Sequence, residues 1–140
     1  MLGLHGAVEE MTRHYDTSSG CSFEFHGEGD FSRLSNELAI SAYRIVQEAL
    51  SNIMKHSHAT SAQVRLVLDE SAQTLRIVVA DDGNGFDPAS ASEGIGIIGM
   101  RERVYAVHGV MDVRSSPGGG TVLAITLPLT APVAVPTTIQ

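Results

Sequence analysis

Glu48, Asn52 and Lys55 stand at steps of four and three residues, the spacing that puts side chains on one face of an α-helix. Arg44 and Ser41 extend that stripe toward the N-terminus. A carboxylate, an amide and an ammonium in one row can be an ordinary solvated face. The asparagine argues for more, because its side chain competes for backbone bonds and forms helices poorly. Its amide oxygen is a neutral hard ligand for Mg²⁺. The carboxylate one turn earlier could hold a metal-bound water or accept a proton, and Lys55 could set a positive charge against phosphate. His56 could line the same phosphate site. His5, His14, His26, His58 and His108 show no metal-ligand spacing supported by cysteines or carboxylates.

A second polar cluster, Asp81-Asp82-Gly83-Asn84-Gly85, closes an alternating run in which Leu75, Ile77, Val79 and Asp81 share one face. A carboxylate at the end of an apolar, core-directed row costs several kcal/mol if left without a donor. Two donors are open to it. One is a nearby backbone amide, as in many Asp-Gly turns; the other is an exocyclic amine such as that of adenine. Gly83 and Gly85 permit close backbone approach in either case. Thr121 repeats the pattern, sharing a face with Leu123, Ile125 and Leu127, so its hydroxyl points inward and could bond a purine edge. Helix groups for metal and phosphate, opposite a strand-end acid and a glycine-rich loop, are what a metal-bound nucleoside triphosphate needs, and ATP binding is the leading reading.

Gly94-Ile95-Gly96-Ile97-Ile98-Gly99 matches the letters of a dinucleotide fingerprint but not its context. Loop residues 88–93 precede it instead of a strand, and no acidic residue is suitably placed downstream. What remains is a set of glycines, Gly94 and Gly96 ahead of a helix N-terminus and Gly99 in its first turn, where free amides and the helix dipole favour phosphate. The segment 82–87 fails the calcium-loop pattern, since Phe86 replaces an oxygen ligand and Asp87 the required glycine.

These groups need a scaffold, and periodicity outlines one. Residues 1–15 read as a helix on Leu4, Val8 and Met11, and 21–26 as a strand. Ser35 is suited to cap a long helix carrying Leu38, Ala42, Ile45, Ala49 and Ile53. Segments 62–69 and 74–80 form one hairpin, 110–115 and 121–127 another. Between them a helix over 97–108 turns Met100, Val104 and Val107 inward and stops at Gly109. Helices interleaved with hairpins predict an α+β fold, a two-layer sandwich whose mixed, mainly antiparallel sheet is covered on one face by helices. The chain divides into 1–34, belonging to the same domain, a core over 35–128, and an irregular tail over 129–140.

With 140 residues, 43% hydrophobic and 18% charged, the chain can fold as one ordinary domain. A net charge of -7 argues against a general nucleic-acid binder. Cys21 stands alone and demands no oxidising compartment. The start lacks signal-peptide character, and no apolar run approaches a membrane span of about 20 residues. The expectation is a cytoplasmic domain without direct membrane contact, which could belong to a larger membrane protein.

Taken together, these segments resemble the catalytic ATP-binding domain of sensor histidine kinases, whose Bergerat fold is shared with gyrase, Hsp90 and MutL-type ATPases. Residues 48–56 resemble the family's N box, 81–85 its first glycine box, and 94–99 its second, while Gly119-Gly120-Thr121 matches the motif before the last core strand. The runs 99–103 (Gly-Met-Arg-Glu-Arg) and 43–50 are similar to the subgroup paired with LuxR/NarL-type response regulators. The resemblance spans roughly 35–128. It implies that Asn52 binds Mg²⁺, Glu48 polarises water or helps place the metal, Lys55 meets phosphate and Asp81 accepts from the adenine amine. Gly83, Gly85, Gly94 and Gly96 would shape the pocket and lid, residues 86–93 the lid itself, and Thr121 would support the base. Asp82 replaces a frequent Asn and would add negative charge near the nucleotide.

The family's phosphoacceptor histidine belongs to a separate dimerisation helix bundle, in an acidic context that neither His5 nor His14 matches. The resemblance therefore implies the catalytic half of a kinase, a piece of a longer protein that donates to a histidine elsewhere. Two alternatives remain at this stage: an anti-sigma-factor serine kinase of the same fold, and a degenerate docking module that no longer binds nucleotide. Intact Asn52, Asp81 and paired glycines speak against the second.

Overall fold

A computed structural model describes residues 3–87 and 95–130, with backbone alone at 56, 57, 95 and 96. Period-two alternation produces five strands: β1 (Ser22–Glu28), β2 (Ser61–Asp69), β3 (Thr74–Asp81), β4 (Val110–Ser115) and β5 (Thr121–Pro128). They form one sheet in the order β1-β2-β3-β5-β4. β1 runs parallel to β2 and every other pairing is antiparallel, so the mixed, mainly antiparallel sheet is as expected.

Register aligns the apolar rows. Val64, Val79 and Leu123 lie side by side, as do Leu66, Ile77 and Ile125, then Leu68, Leu75 and Leu127. All nine are buried. The intervening positions Gln63, Arg65, Arg76 and Val122 face the other way and are exposed, so helices cover one face only.

That cover is α1 (Leu4–Ser18), α2 (Asn36–Asn52) and α3 (Ile95–Ala106). α2 lies between the other two and packs on β3. Its start is fixed by Ser35, whose hydroxyl accepts from the Leu38 amide at 3.1 Å. Its buried stripe of Leu38, Ala42, Ile45, Val46, Ala49 and Leu50 follows the helical period. Truncating the fully buried Ile45 or Leu50 to alanine removes about 2–5 kcal/mol.

Three of the boundaries that differ from the sequence reading bear on the site. The long helix does not continue evenly through His56: Ile53–Ser57 is a π-helical turn, ended by His58 in the left-handed region at φ 53°. α3 begins at Ile95, two residues early, which places Gly96 inside the helix rather than before it and carries Gly99 beyond the first turn. Its last helical residue is Ala106, and the stop beyond it is made by His108, not Gly109. His108 takes the left-handed position at φ 63°, its amide donates to the Tyr105 carbonyl, and the Gly109 amide donates to that of Val104, a Schellman arrangement. Gly109 serves packing instead: a β-carbon there would meet Leu127 Cδ2 at 2.5 Å and the Thr126 carbonyl at 2.9 Å. The tail beyond Thr130 lies outside the described residues.

Candidate functional site

The row that ends the apolar ladder carries the polar groups. One step beyond Val79–Leu123, Asp81 pairs with Thr121, which pairs on its other side with Ser115. Directly opposed residues on one sheet face hold their β-carbons about 4.5–5.5 Å apart. The two residues inferred separately from alternation are thus neighbours, both half-buried at one end of the helix-covered face.

Asp81 Oδ1 accepts from the Gly83 amide at 2.8 Å, closing the turn. Among the described residues its carboxylate has no other hydrogen-bond donor. The two donors considered from sequence therefore do not compete: the main chain takes one oxygen and the second remains for another partner. Burial, opposed by the Gly83 bond and reinforced by the neighbouring Asp82 charge, holds the Asp81 carboxyl above its ordinary value.

Asp82 is turned to a different task from the one expected. Its Oδ1 accepts from the Thr60 and Ser61 amides at 2.8 and 3.0 Å, and its Oδ2 from the Thr60 hydroxyl at 2.7 Å. These bonds hold its pKa below the usual carboxylate value. Its charge clamps the end of β3 to the start of β2. Near both acids, the Cys21 thiol is pushed up by burial and then by the Asp82, Asp81 and Asp16 charges.

The first glycine loop is bolted to the β4–β5 turn. Asn84 offers its carbonyl to the Gly118 amide at 2.6 Å, and the Phe86 amide donates to Ser115 Oγ at 2.8 Å. Gly85 has φ 63°, and a β-carbon there would meet the Ser116 and Gly120 carbonyls. Gly120 has φ 75° and sits against the backbone of Asp81 and Asp82. Ser115 also lies 2.9 Å from both the Gly120 carbonyl and Thr121 Oγ1. Sequence reasoning passed over it, because a single serine at a strand end carries no periodic signal. Its position opposite Thr121 across a short glycine turn is the one pointer.

Of the helix groups, Glu48 and Asn52 occupy the last two turns of α2 and are half-buried. Lys55 is exposed on the π-helical turn, so α-helical spacing no longer puts it on their stripe. His56 lies in the same turn. In the second glycine cluster, Gly96 belongs to the first turn of α3, where amides lack helical partners. Gly99 is the fifth helical residue, so its amide enters the ladder and cannot serve an anion; a β-carbon there meets nothing within 4 Å. Gly94 and residues 88–93 lie outside the described residues.

Among the described residues no cluster of three or more His, Cys, Asp or Glu could hold a metal by itself. Mg²⁺ does not need one, because it keeps several waters and takes phosphate oxygens together with one or two protein oxygens. The Asn52 amide and Glu48 carboxylate fit that limited donor set.

Comparison with known proteins gives a consistent answer. The family described as histidine kinase-, DNA gyrase B-, and HSP90-like ATPase matches residues 37–131. The signal transduction histidine-protein kinase/phosphatase DegS of Brevibacillus brevis is 32% identical over 130 residues, 92% of this chain and 33% of that protein. The oxygen sensor histidine kinase NreB of Staphylococcus carnosus (strain TM300) is 32% identical over 133 residues, 92% of this chain and 37% of that one. The chain spans about a third of the length of these relatives. Among solved structures, the histidine kinase domain of the Erythrobacter litoralis EL346 blue-light activated kinase superposes with a TM-score of 0.71 at 25% identity, covering 91% of this chain and 62% of that one. Acinetobacter baumannii AdeS, at 13% identity and a TM-score of 0.68 over 91% of this chain and 66% of that one, shares the fold. No described helix is long and apolar enough to cross a membrane.

Proposed function

From the premise that the chain belongs to the histidine kinase-, DNA gyrase B- and HSP90-like ATPases, we propose that it is the ATP·Mg-binding catalytic domain of a two-component sensor histidine kinase. It delivers the γ-phosphoryl group to a histidine on a separate dimerisation bundle, on the cytoplasmic side, upstream of a LuxR/NarL-type response regulator. The observation that carries this reading is the register that sets Asp81 beside Thr121, next to a glycine loop pinned to the β4–β5 turn. The histidine kinase relatives support histidine, rather than serine, as acceptor.

In this reading the second Asp81 oxygen accepts from the adenine amine, and Thr121 supports the base. Glu48 and Asn52 offer oxygens toward the metal and its waters. Lys55, with His56 beside it, meets the triphosphate. The Gly96 amide at the start of α3 faces phosphate oxygens, Gly83 lets the first glycine loop approach the base, and Gly85 keeps that loop against the β4–β5 turn. Mg²⁺, when bound, neutralises phosphate charge. The chain's own part is to position the γ-phosphate so that an incoming imidazole nitrogen forms its P–N bond as the P–O bond to ADP breaks.

Ligand binding to the native state alone must raise its stability, by about 2.7 kcal/mol at a hundredfold excess over Kd. Saturating Mg·ATP is expected to raise the Tm on the order of 10 °C. An unchanged melting curve sinks the proposal. The metal assignment is tested by titrating ADP with and without Mg²⁺. Asn52→Ala is expected to bring the two affinities together while metal-free binding stays near the parent's, and a variant that keeps the parent's Mg²⁺ dependence removes Asn52 from the metal.

A further inference from the structure

The hydroxyl of Ser115 has one proton and two lone pairs, and three partners surround it. The Phe86 amide can only donate, and it points at Ser115 Oγ at 2.8 Å. The Gly120 carbonyl can only accept, and it lies at 2.9 Å. Two oxygens without a proton between them repel at that distance, so the single Ser115 proton belongs on Gly120. The third contact, Thr121 Oγ1 at 2.9 Å, can then be a hydrogen bond only if Thr121 donates to Ser115. Ser115 is thereby saturated, and Thr121 has no proton left for anything in the site.

We infer that Ser115 fixes the hydrogen-bond polarity of Thr121, making it an acceptor-only neighbour of Asp81, and through it selects a base edge that presents hydrogens. Asp81 and Thr121 are paired across β3 and β5, so the row offers two acceptors side by side. An amino group, with two hydrogens, suits both. A carbonyl in its place meets lone pairs from each side and leaves them without a partner, which discriminates strongly at a half-buried site. Ser115 acts through Thr121 and is a positioning residue. Half-buried and locked by two backbone groups, it keeps this polarity when a ligand arrives, where a freely rotating threonine could turn its proton toward a carbonyl. The inference rests on the adenine-binding reading above and deepens it.

The test compares ADP with IDP, which carries a 6-carbonyl and a protonated N1 in place of the amine and bare nitrogen. Affinities are measured calorimetrically with Mg²⁺ on the parent chain, Ser115→Ala and Ser115→Thr. The parent is expected to prefer ADP by at least about 100-fold. Ser115→Ala frees the Thr121 proton, and the preference should fall by about tenfold. Ser115→Thr, which keeps the hydroxyl, should restore it. A Ser115→Ala protein that loses affinity for both nucleotides equally overturns the inference, since loosening of the Phe86 loop alone acts on both. A parent that binds neither nucleotide overturns the adenine reading and this inference together. If Ser115→Ala does not fold, Thr121→Val carries the same test: ADP affinity should drop while IDP affinity does not, and equal losses contradict the assignment.

Discussion

Replacing Asp81 by Asn is expected to weaken ADP binding by about 10- to 100-fold while leaving the fold intact. The substitution separates the two duties of the side chain. An asparagine oxygen still accepts from the Gly83 amide, so the turn that now closes at 2.8 Å is kept. The other atom becomes an NH₂ group that confronts the adenine amine donor to donor. Calorimetric ADP titration reads the loss, and thermal denaturation reads the retained fold. Unchanged affinity removes Asp81 from the base.

The same carboxylate gives a pH dependence with a defined sign. Burial raises its folded pKa above the ordinary carboxylate value, so the charged form is disfavoured in the folded state. Its contribution to stability is present below the ordinary carboxylate pKa and is lost as pH rises through the raised folded value. Nucleotide affinity runs the opposite way, because a protonated Asp81 no longer offers two acceptors, and it falls as pH drops through that value. Asp81→Asn should lose this acid limb of binding and be at least as stable as the parent at neutral pH. Function and stability pull apart at this residue, as they commonly do at sites.

Gly120→Ala is expected to cost about 2–4 kcal/mol, lowering the Tm by on the order of 10 °C. At φ 75° any side chain is strained, and the added carbon would run into the Asp81 carbonyl and sit 3.2 Å from Asp82 Cα. The colliding atoms are backbone on the neighbouring strand, so relief requires parting β3 from the glycine turn. Gly99→Ala makes the contrast. That residue is helical, exposed and open, so alanine should stabilise by about 0.5–1 kcal/mol. Urea unfolding of both variants checks the pair; a mild effect at Gly120 would mean that the turn does not grip the strand end.

Much of this architecture could be read from residue patterns, because burial enforces period and period is visible. Leu75, Ile77 and Val79 predicted both the strand and the direction in which Asp81 points. Leu123, Ile125 and Leu127 did the same for Thr121. What alternation could not say is that the two rows are adjacent: the β3–β5 pairing joins residues forty or more positions apart, decided by the whole sheet. The π-helical turn at Ile53–Ser57 was equally hidden, since the spacing of Asn52 and Lys55 suits an unbroken helix. Gly96 pointed to loop on propensity, and tertiary context made it helix. Asp82 and Ser115 were undervalued for a common reason. Their partners are mostly backbone groups brought close by folding, and backbone carries no sequence signature.

The central claim, an adenine nucleotide held at the Asp81–Thr121 end of the helix-covered sheet face, is tested most directly by the amide NMR spectrum of the ¹⁵N-labelled chain titrated with Mg·ADP. The expected result is saturable shifts concentrated at Gly83, Gly85, Thr121, Asn52 and Gly96, with the exposed face around Arg65 and Arg76 silent. A spectrum that does not move, or one whose changes fall on that opposite face, contradicts the account.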